Sequence, residues 1–410
     1  VKIGFFTDTY LPQVSGVATS IKTLKDQLEK QGHEVLIFTT TDPKAPKDEV
    51  NIIRMPSVPF ISFKERRVVI RGMWDAYLMA KMHELDLIHT HTEFGAGLLG
   101  KLVAKKMKIP VIHTYHTMYE DYLHYVAKGK IVRPSHVKYL SRQFVNHSTG
   151  IVCPSQRVVD TLRRYGATVP MRIIPTGIHL ERFDRTDITE KMVASVRESW
   201  NVGPENVLLL SLSRLSYEKN IQAIIRGLPQ IIEQQPQVRL MIVGNGPYKE
   251  ELQQLVEKMN LTSFVIFVGE VPNEDVAIYY RAAKYLVSAS TSETQGLTYT
   301  EAMAAKTQMV VLGNDYLDNL LSHPSLGCTF KKEEDFPKTV LAYMQVDQPF
   351  DPIVHQVKMH EISAEYFGEE MIRFYLEMQQ HFQQLTQEKM EHSKSESLKS
   401  KLKSFKILVK

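Results

Sequence analysis

Two glutamates eight positions apart, Glu293 and Glu301, are the residues whose types and spacing point most directly to chemistry. They sit in Ser292-Glu293-Thr294-Gln295-Gly296-Leu297-Thr298-Tyr299-Thr300-Glu301. With Gly296 in a loop and a helix beginning near Leu297, Glu293 precedes the helix and Glu301 lies one turn inside it. The backbone N–H groups of Gln295, Gly296 and Leu297 then face the same pocket as both carboxylates, with Thr294 beside them. Helix N-termini favour anions, so this segment offers acceptors for hydroxyls next to donors for phosphate. Paired glutamates also serve glycoside hydrolysis as acid and nucleophile. A hydrolase needs no cationic clamp, however, and the sequence has one. Arg214 and Lys219 flank the loop Ser213-Arg214-Leu215-Ser216-Tyr217-Glu218-Lys219-Asn220. A guanidinium and an ammonium at a strand's end suit a diphosphate without a metal. The plainer alternative is a surface ion pair with Glu218.

Three further loops carry candidate residues. Asp8-Thr9-Tyr10-Leu11-Pro12-Gln13-Val14-Ser15-Gly16-Val17 leads from a strand into a helix. It is either an anion-binding helix start or an ordinary turn that needs Gly16. With one glycine it is not the dinucleotide fingerprint, and nicotinamide binding loses support. Gly244-Asn245-Gly246-Pro247 is a tight turn, suited equally to close approach of a ligand and to turn geometry alone. The third set is rich in histidine: His89, His91 and Glu93, then His113, Tyr115 and His116. A metal reading fits poorly, because His89 and His91 alternate at a strand end and no aspartate cluster completes a site. The expectation is a metal-free, polar cleft floor with one histidine close to the reacting centre.

Such loops need sheets to hold them. Short β-branched runs alternate with helical patterns, the signature of parallel sheets covered on both faces. In the first half the runs are Lys2–Phe6, Val35–Thr39, Asp86–His89, Val111–Thr114, Ile151–Cys153 and Arg172–Ile174. The pattern restarts at Val207–Leu212 and continues through Arg239–Val243, Val265–Phe267, Tyr285–Val287 and Met309–Leu312. The expected fold is α/β, with two facing Rossmann-like domains and a cleft between the carboxyl ends of their sheets, where ligands of such folds bind. The division reads as residues 1–180 and 181–365. A helix over 366–385 returns to the first domain, and 386–410 is a basic tail.

A net charge of +4 over 410 residues gives no reason to expect nucleic acid as a partner. Its distribution says more. Lys64, Arg66, Arg67 and Arg71 stand against the single Glu65, interleaved with Phe60, Phe63, Trp74 and Tyr77. That stretch suits an anionic membrane surface; the alternative is a solvated helix whose apolar side is core. The tail from Gln383 holds seven lysines against three glutamates. No apolar run is long enough to cross a bilayer, and the chain begins in a strand without a signal-peptide pattern. Cys153 and Cys328 read as buried thiols. Together these features predict a cytoplasmic protein able to rest peripherally on a membrane surface.

Taken together, the motifs resemble those of the retaining GT-B glycosyltransferases of family GT4, over essentially residues 1 to 385. Glu293 and Glu301 carry the likeness most specifically, with Arg214, Lys219 and the Gly244-Asn245-Gly246-Pro247 turn in matching order. The resemblance implies that Glu301 binds the ribose of a UDP-sugar and Glu293 the donor sugar's C3 hydroxyl. It implies that Arg214 and Lys219 hold the diphosphate, Gly16 lets its loop approach the phosphates, and His116 lies by the transferred sugar. Within the family, Asp8-Thr9-Tyr10, the stretch from Ile88 to Phe94 and the Glu293 segment look most like bacterial diacylglycerol glucosyltransferases. That likeness implies transfer of glucose from UDP-glucose to diacylglycerol with retention, without a cofactor, on the inner face of the cell membrane, with residues 1–180 as the acceptor-binding domain and 181–365 as the nucleotide-sugar-binding domain. A family member acting on a glycosylated lipid or a soluble sugar is the alternative, and a non-catalytic nucleotide-sugar-binding module stands behind it.

Overall fold

The computed structural model describes residues 1–13, 15–60, 63–118, 134–293 and 295–408; of residues 60, 63–66, 134 and 392–408 it describes the backbone alone. Fifteen strands are described. In the first half they are β1 (Lys2–Phe6), β2 (Glu34–Thr40), β3 (Ile52–Met55), β4 (Ser57–Phe60), β5 (Phe63–Val69), β6 (Leu87–Thr90), β7 (Val111–Thr114), β8 (Gly150–Cys153) and β9 (Met171–Ile173). In the second half they are β10 (Val207–Leu212), β11 (Val238–Val243), β12 (Val265–Gly269), β13 (Tyr285–Ser288), β14 (Gln308–Leu312) and β15 (Gly327–Phe330).

They form two sheets and a hairpin. The first sheet runs β3-β2-β1-β6-β7-β8-β9 and the second β12-β11-β10-β13-β14-β15; every pairing in both is parallel. Each is therefore a doubly wound Rossmann-like sheet, the architecture of the GT-B fold. The strand order reverses between β1 and β6 in the first sheet and between β10 and β13 in the second. Those are the switch points where open α/β sheets bind ligands.

The central strands are apolar throughout because helices cover both faces. Leu208 and Leu210 pack with Met241 and Val243 on one side of β10. Leu209 packs with Leu240 and Ile242 on the other. Successive side chains point to opposite faces, so three leucines in a row serve two cores.

The chain then crosses back. Ile178 and Ser363 form a parallel bridge, with Ala364 N–H donating to the Ile178 carbonyl at 2.8 Å. From there one continuous helix spans Ala364–Leu408. Its Phe367, Met371, Phe374, Tyr375 and Met378 recur at helical spacing and bury against Ile3, Phe5, Ile21 and Leu24 of the first sheet's core.

The basic segment differs from the helix that its sequence allowed as an alternative. β4 and β5 are an antiparallel hairpin separate from both sheets, and a helix starts only at Met73 (Met73–Met82). Pro59 is tolerated because a two-stranded ribbon consists of edges.

Candidate active site

The donor side is built at the second switch point by the loops after β10 and β13. A polar depression there is lined by Ser213, Lys219, Ser288, Ser290, Glu293 and Thr298. Lys219 Nζ lies 2.5 Å from Glu293 Oε1, and Ser290 Oγ donates to the same oxygen at 3.1 Å. The two predicted groups are thus brought together, as partners of each other. Lys219 therefore stands at the depression as a cation engaged by Glu293. Asn220, in the left-handed region at φ 53°, ties this loop to the next strand by donating to the Ala289 carbonyl at 3.2 Å and to Glu333 Oε1 at 2.6 Å. Arg214 is exposed at the start of the same loop.

The helix Leu297–Ala304 begins where the sequence placed it. Gly296 is its N-cap at φ 85°, and no side chain caps it; Tyr299 N–H donates to the Gly296 carbonyl at 3.2 Å, and the N–H groups of Leu297 and Thr298 lack intrahelical partners. A β-carbon on Gly296 would lie 2.4 Å from the Tyr299 ring; glycine is required for both angle and space. Thr294 lies outside the described residues. Glu301 Oε2 accepts from the Tyr280 hydroxyl at 2.8 Å. Burial pushes the Glu301 carboxyl above its usual range, partly offset by that hydrogen bond and by Arg182.

Two predicted residues do something else besides. The Gln295 side chain is buried against the other half of the molecule. Its Oε1 accepts from Thr176 N–H at 2.7 Å and its Nε2 donates to the Thr176 carbonyl at 2.8 Å. The glycines of the Gly244 turn serve its packing on the Arg214 loop. A β-carbon on Gly244, at φ 133°, would sit 1.9 Å from the Ser213 carbonyl oxygen, and one on Gly246 would sit 2.3 Å from that of Leu215. Leu215 N–H donates to the Asn245 carbonyl at 2.9 Å. The turn therefore shapes the cationic loop.

Sequence reasoning missed Arg157 of the helix Gln156–Tyr165. Its guanidinium donates to the carbonyls of Thr291 at 2.9 Å and Glu293 at 3.0 Å, bracing the Glu293 loop from the first sheet's side. One of three arginines on an amphipathic helix, it carries no sequence signal of that role.

Across from the donor side, Gly16 opens the helix Gly16–Lys30, which Ser15 caps through Ala18 N–H; apart from its chain neighbours and its own helix, no described residue comes within 4 Å of a β-carbon built there. Asp8 is buried and meets no cation among the described residues. Its carboxylate accepts from Val69 N–H at 2.8 Å, Thr92 Oγ1 at 2.7 Å and Ala96 N–H at 3.1 Å. It thereby joins the hairpin, the loop after β6 and the start of the helix Gly95–Met107.

The histidines form one cluster. His89 bonds the Tyr375 hydroxyl at 2.6 Å and Thr114 Oγ1 at 2.7 Å. His113 Nε2 lies 3.1 Å from Glu93 Oε1, and His91 Nδ1 lies 3.1 Å from His116 Nε2. Burial holds His89 and His91 far below the usual imidazole range, and burial with His113 nearby lowers His116 to about 3. The rings of His89, His91 and His116 are neutral. Among the described residues no His, Cys, Asp and Glu group is arranged to hold a metal ion.

Of the predicted membrane residues, Arg67 is held by Ser57, whose Oγ and carbonyl accept from it at 3.0 and 2.7 Å. Arg71 is exposed. Trp74 is 64% exposed and shares the surface with Leu78 and Met82, one helical turn and two turns on, and with Leu98 and Leu102 of the neighbouring helix. Lys106 Nζ stands 3.6 Å above the Trp74 ring. The side chains of Phe60, Phe63, Lys64 and Arg66 lie outside the described residues.

Comparison with known proteins places this geometry. Residues 14–182 match the model of Glycosyltransferase Family 4 and residues 194–340 that of Glycosyl transferases group 1. The chain is 47% identical over 378 residues to the alpha-monoglucosyldiacylglycerol synthase of Streptococcus pneumoniae, covering 92% of this chain and 86% of that protein. It is 33% identical over 354 residues to the enzyme of the same name from Acholeplasma laidlawii, covering 84% and 88%. Among solved structures, Anabaena HepE in complex with UDP-glucose superposes with a TM-score of 0.70 at 16% identity, over 91% of this chain and 98% of that one. Sucrose-phosphate synthase from Thermosynechococcus elongatus gives 0.72 at 19%, over 92% and 98%. The chain belongs to the family 4 glycosyltransferases and has their GT-B fold.

Proposed function

We propose that this enzyme transfers glucose from UDP-glucose to diacylglycerol, with retention, at an anionic membrane surface. The observation that carries the donor half is the pair Glu293 and Glu301 bracketing an uncapped helix start at the second switch point, with Lys219 on Glu293. In this reading Glu301 accepts from the ribose hydroxyls, Glu293 from the glucose C3 hydroxyl, and Arg214, Lys219 and the helix N-terminus hold the diphosphate. The acceptor hydroxyl attacks on the face from which the diphosphate departs, and the departing phosphate oxygen takes its proton. Preorganised cations stabilise the leaving group, and holding donor and acceptor together supplies most of the remainder.

The acceptor half is supported by the names of the two relatives and by the exposed face around Trp74, Leu78, Leu98 and Leu102, edged by Arg71 and Lys106. Each basic side chain at an anionic surface contributes about 1 kcal/mol, which suits reversible attachment. No helix among the described residues is long and apolar enough to cross a membrane.

The test is labelled UDP-glucose with diacylglycerol in phosphatidylglycerol-containing vesicles. Label in the lipid phase supports the reading. Label only on a glycosylated lipid or a soluble sugar assigns a different acceptor, and no UDP release with any acceptor leaves a binding module.

A further inference from the structure

His91 is 3% exposed, and its Nε2 has no hydrogen-bond partner among the described residues. Buried polar atoms without partners are rare enough to need a reason. The ring is fixed on every other side. The His89 ring lies 4.0 Å away and Phe5 stands edge-on at 4.8 Å. The His116 ring meets that of His91 edge to edge, with centroids 5.4 Å and planes 28° apart. His89 is itself held at both nitrogens, by Tyr375 and Thr114. His91 therefore has one polar contact in which to express a preference, the 3.1 Å bond between its Nδ1 and His116 Nε2.

Both rings are neutral, so one nitrogen of that bond carries the hydrogen and the other accepts it. If His116 donates, His91 must carry its own hydrogen on Nε2, leaving an orphaned N–H in the interior. If His91 donates from Nδ1, the orphan is a lone pair. Orphaned buried N–H groups are the rarer of the two kinds. The second arrangement forces His116 to accept at Nε2 and to carry its hydrogen on Nδ1.

We infer that His91 is a positioning residue that locks His116 into the tautomer with hydrogen on Nδ1, presenting a fixed donor to the transferred sugar. The sugar contact rests on the proposed function, with His116 beside the transferred sugar as the family likeness implies; the tautomer rests on the His91 geometry and on both rings being neutral. The unpartnered Nε2 is then the consequence of placing a donor, not an acceptor, at His116 Nδ1.

The experiment is long-range proton–nitrogen NMR of the full chain labelled with 15N-histidine, with His116 assigned by its loss in His116→Ala. The expected result is hydrogen on Nδ1 and a bare Nε2. His91→Asn keeps an N–H close to the Nδ1 position and should preserve both the tautomer and kcat within about threefold. His91→Leu removes the donor; His116 should then populate both neutral tautomers, and kcat should fall about tenfold, the worth of one neutral hydrogen bond. UDP affinity, which involves neither ring, should be unchanged in both variants. Hydrogen on His116 Nε2 in the wild type, or an unaltered tautomer in His91→Leu, overturns the inference. Unchanged turnover in His116→Ala would instead overturn the sugar-facing role while leaving the tautomer result standing.

Discussion

Removing the Arg157 side chain should separate the sugar from the nucleotide. In Arg157→Ala the carbonyls of Thr291 and Glu293 lose their donors at 2.9 and 3.0 Å. A hydrogen bond from a charged donor contributes about 1.5–3 kcal/mol when protected from water. Arg157 is only half-buried, and water can replace the guanidinium at both carbonyls. The lower end, about 1.5 kcal/mol for the two together, is therefore the fitting value, a little over tenfold. That loss falls on the loop that aims Glu293 and not on Glu301, which sits inside the helix and is held by Tyr280. The assay is calorimetric binding of UDP and of UDP-glucose to wild type and variant, with the KM for UDP-glucose measured alongside. UDP should bind within about twofold of wild type, while UDP-glucose should weaken about tenfold. Equal weakening of both ligands, or no change in either, would refute the view that Arg157 acts through the Glu293 loop.

Tyr280→Phe deletes the hydrogen bond that favours the ionised form of Glu301, so the carboxyl, already raised by burial, should rise further. UDP affinity, which needs the carboxylate, should then fall off at a higher pH in the variant as pH is lowered; calorimetry as a function of pH reads the shift, and superimposable profiles would count against the ribose role. Gly244→Ala forces a β-carbon to within 1.9 Å of a carbonyl at φ 133° and should cost more than about 1 kcal/mol, seen as a lower Tm together with weaker UDP binding. A fall in Tm alone would mean that the turn does not shape the Arg214 loop. Lys219→Ala should weaken UDP binding more than Arg214→Ala does, and adding Glu293→Gln to it should recover part of the loss; a double variant that is worse still would contradict the charge argument developed below.

The architecture was legible because both sheets are parallel and buried: runs such as Val207–Leu212 have no other reading once helical periodicity flanks them. β3 and β15 escaped notice for the opposite reason. They are edge strands of four residues, and β3 is mostly half-buried, so neither shows a clean pattern. The hairpin escaped because its turn lacks an Asn-Gly or Asp-Gly signal and because basic residues next to aromatics suit a helix as well as a ribbon. Of the site, Glu293, Glu301, Lys219 and the helix start at Leu297 were readable from local spacing. The bracing of that segment was not. Gln295 meets Thr176 119 residues earlier in the chain, Arg157 reaches Glu293 over 136, and Tyr375 reaches His89 over 286. Contacts at such separations leave no mark on either local segment.

The pairing of Lys219 with Glu293 also decides how the two cations divide their work. A pair with nitrogen and oxygen 2.5 Å apart is neutral from a distance, so it does little to draw a diphosphate into the cleft. Arg214 is exposed and pairs with no acidic group among the described residues, so its charge and the dipole of the helix at Leu297 supply the long-range attraction. Lys219 matters at contact, where it screens Glu293 from an arriving phosphate oxygen. Remove it, and the arriving diphosphate faces an uncompensated carboxylate. Like charges about 4 Å apart at an effective dielectric of about 20 repel by about 4 kcal/mol, more than a single exposed arginine returns. That inequality puts Lys219→Ala below Arg214→Ala, and it is why neutralising Glu293 should help only when Lys219 is already gone.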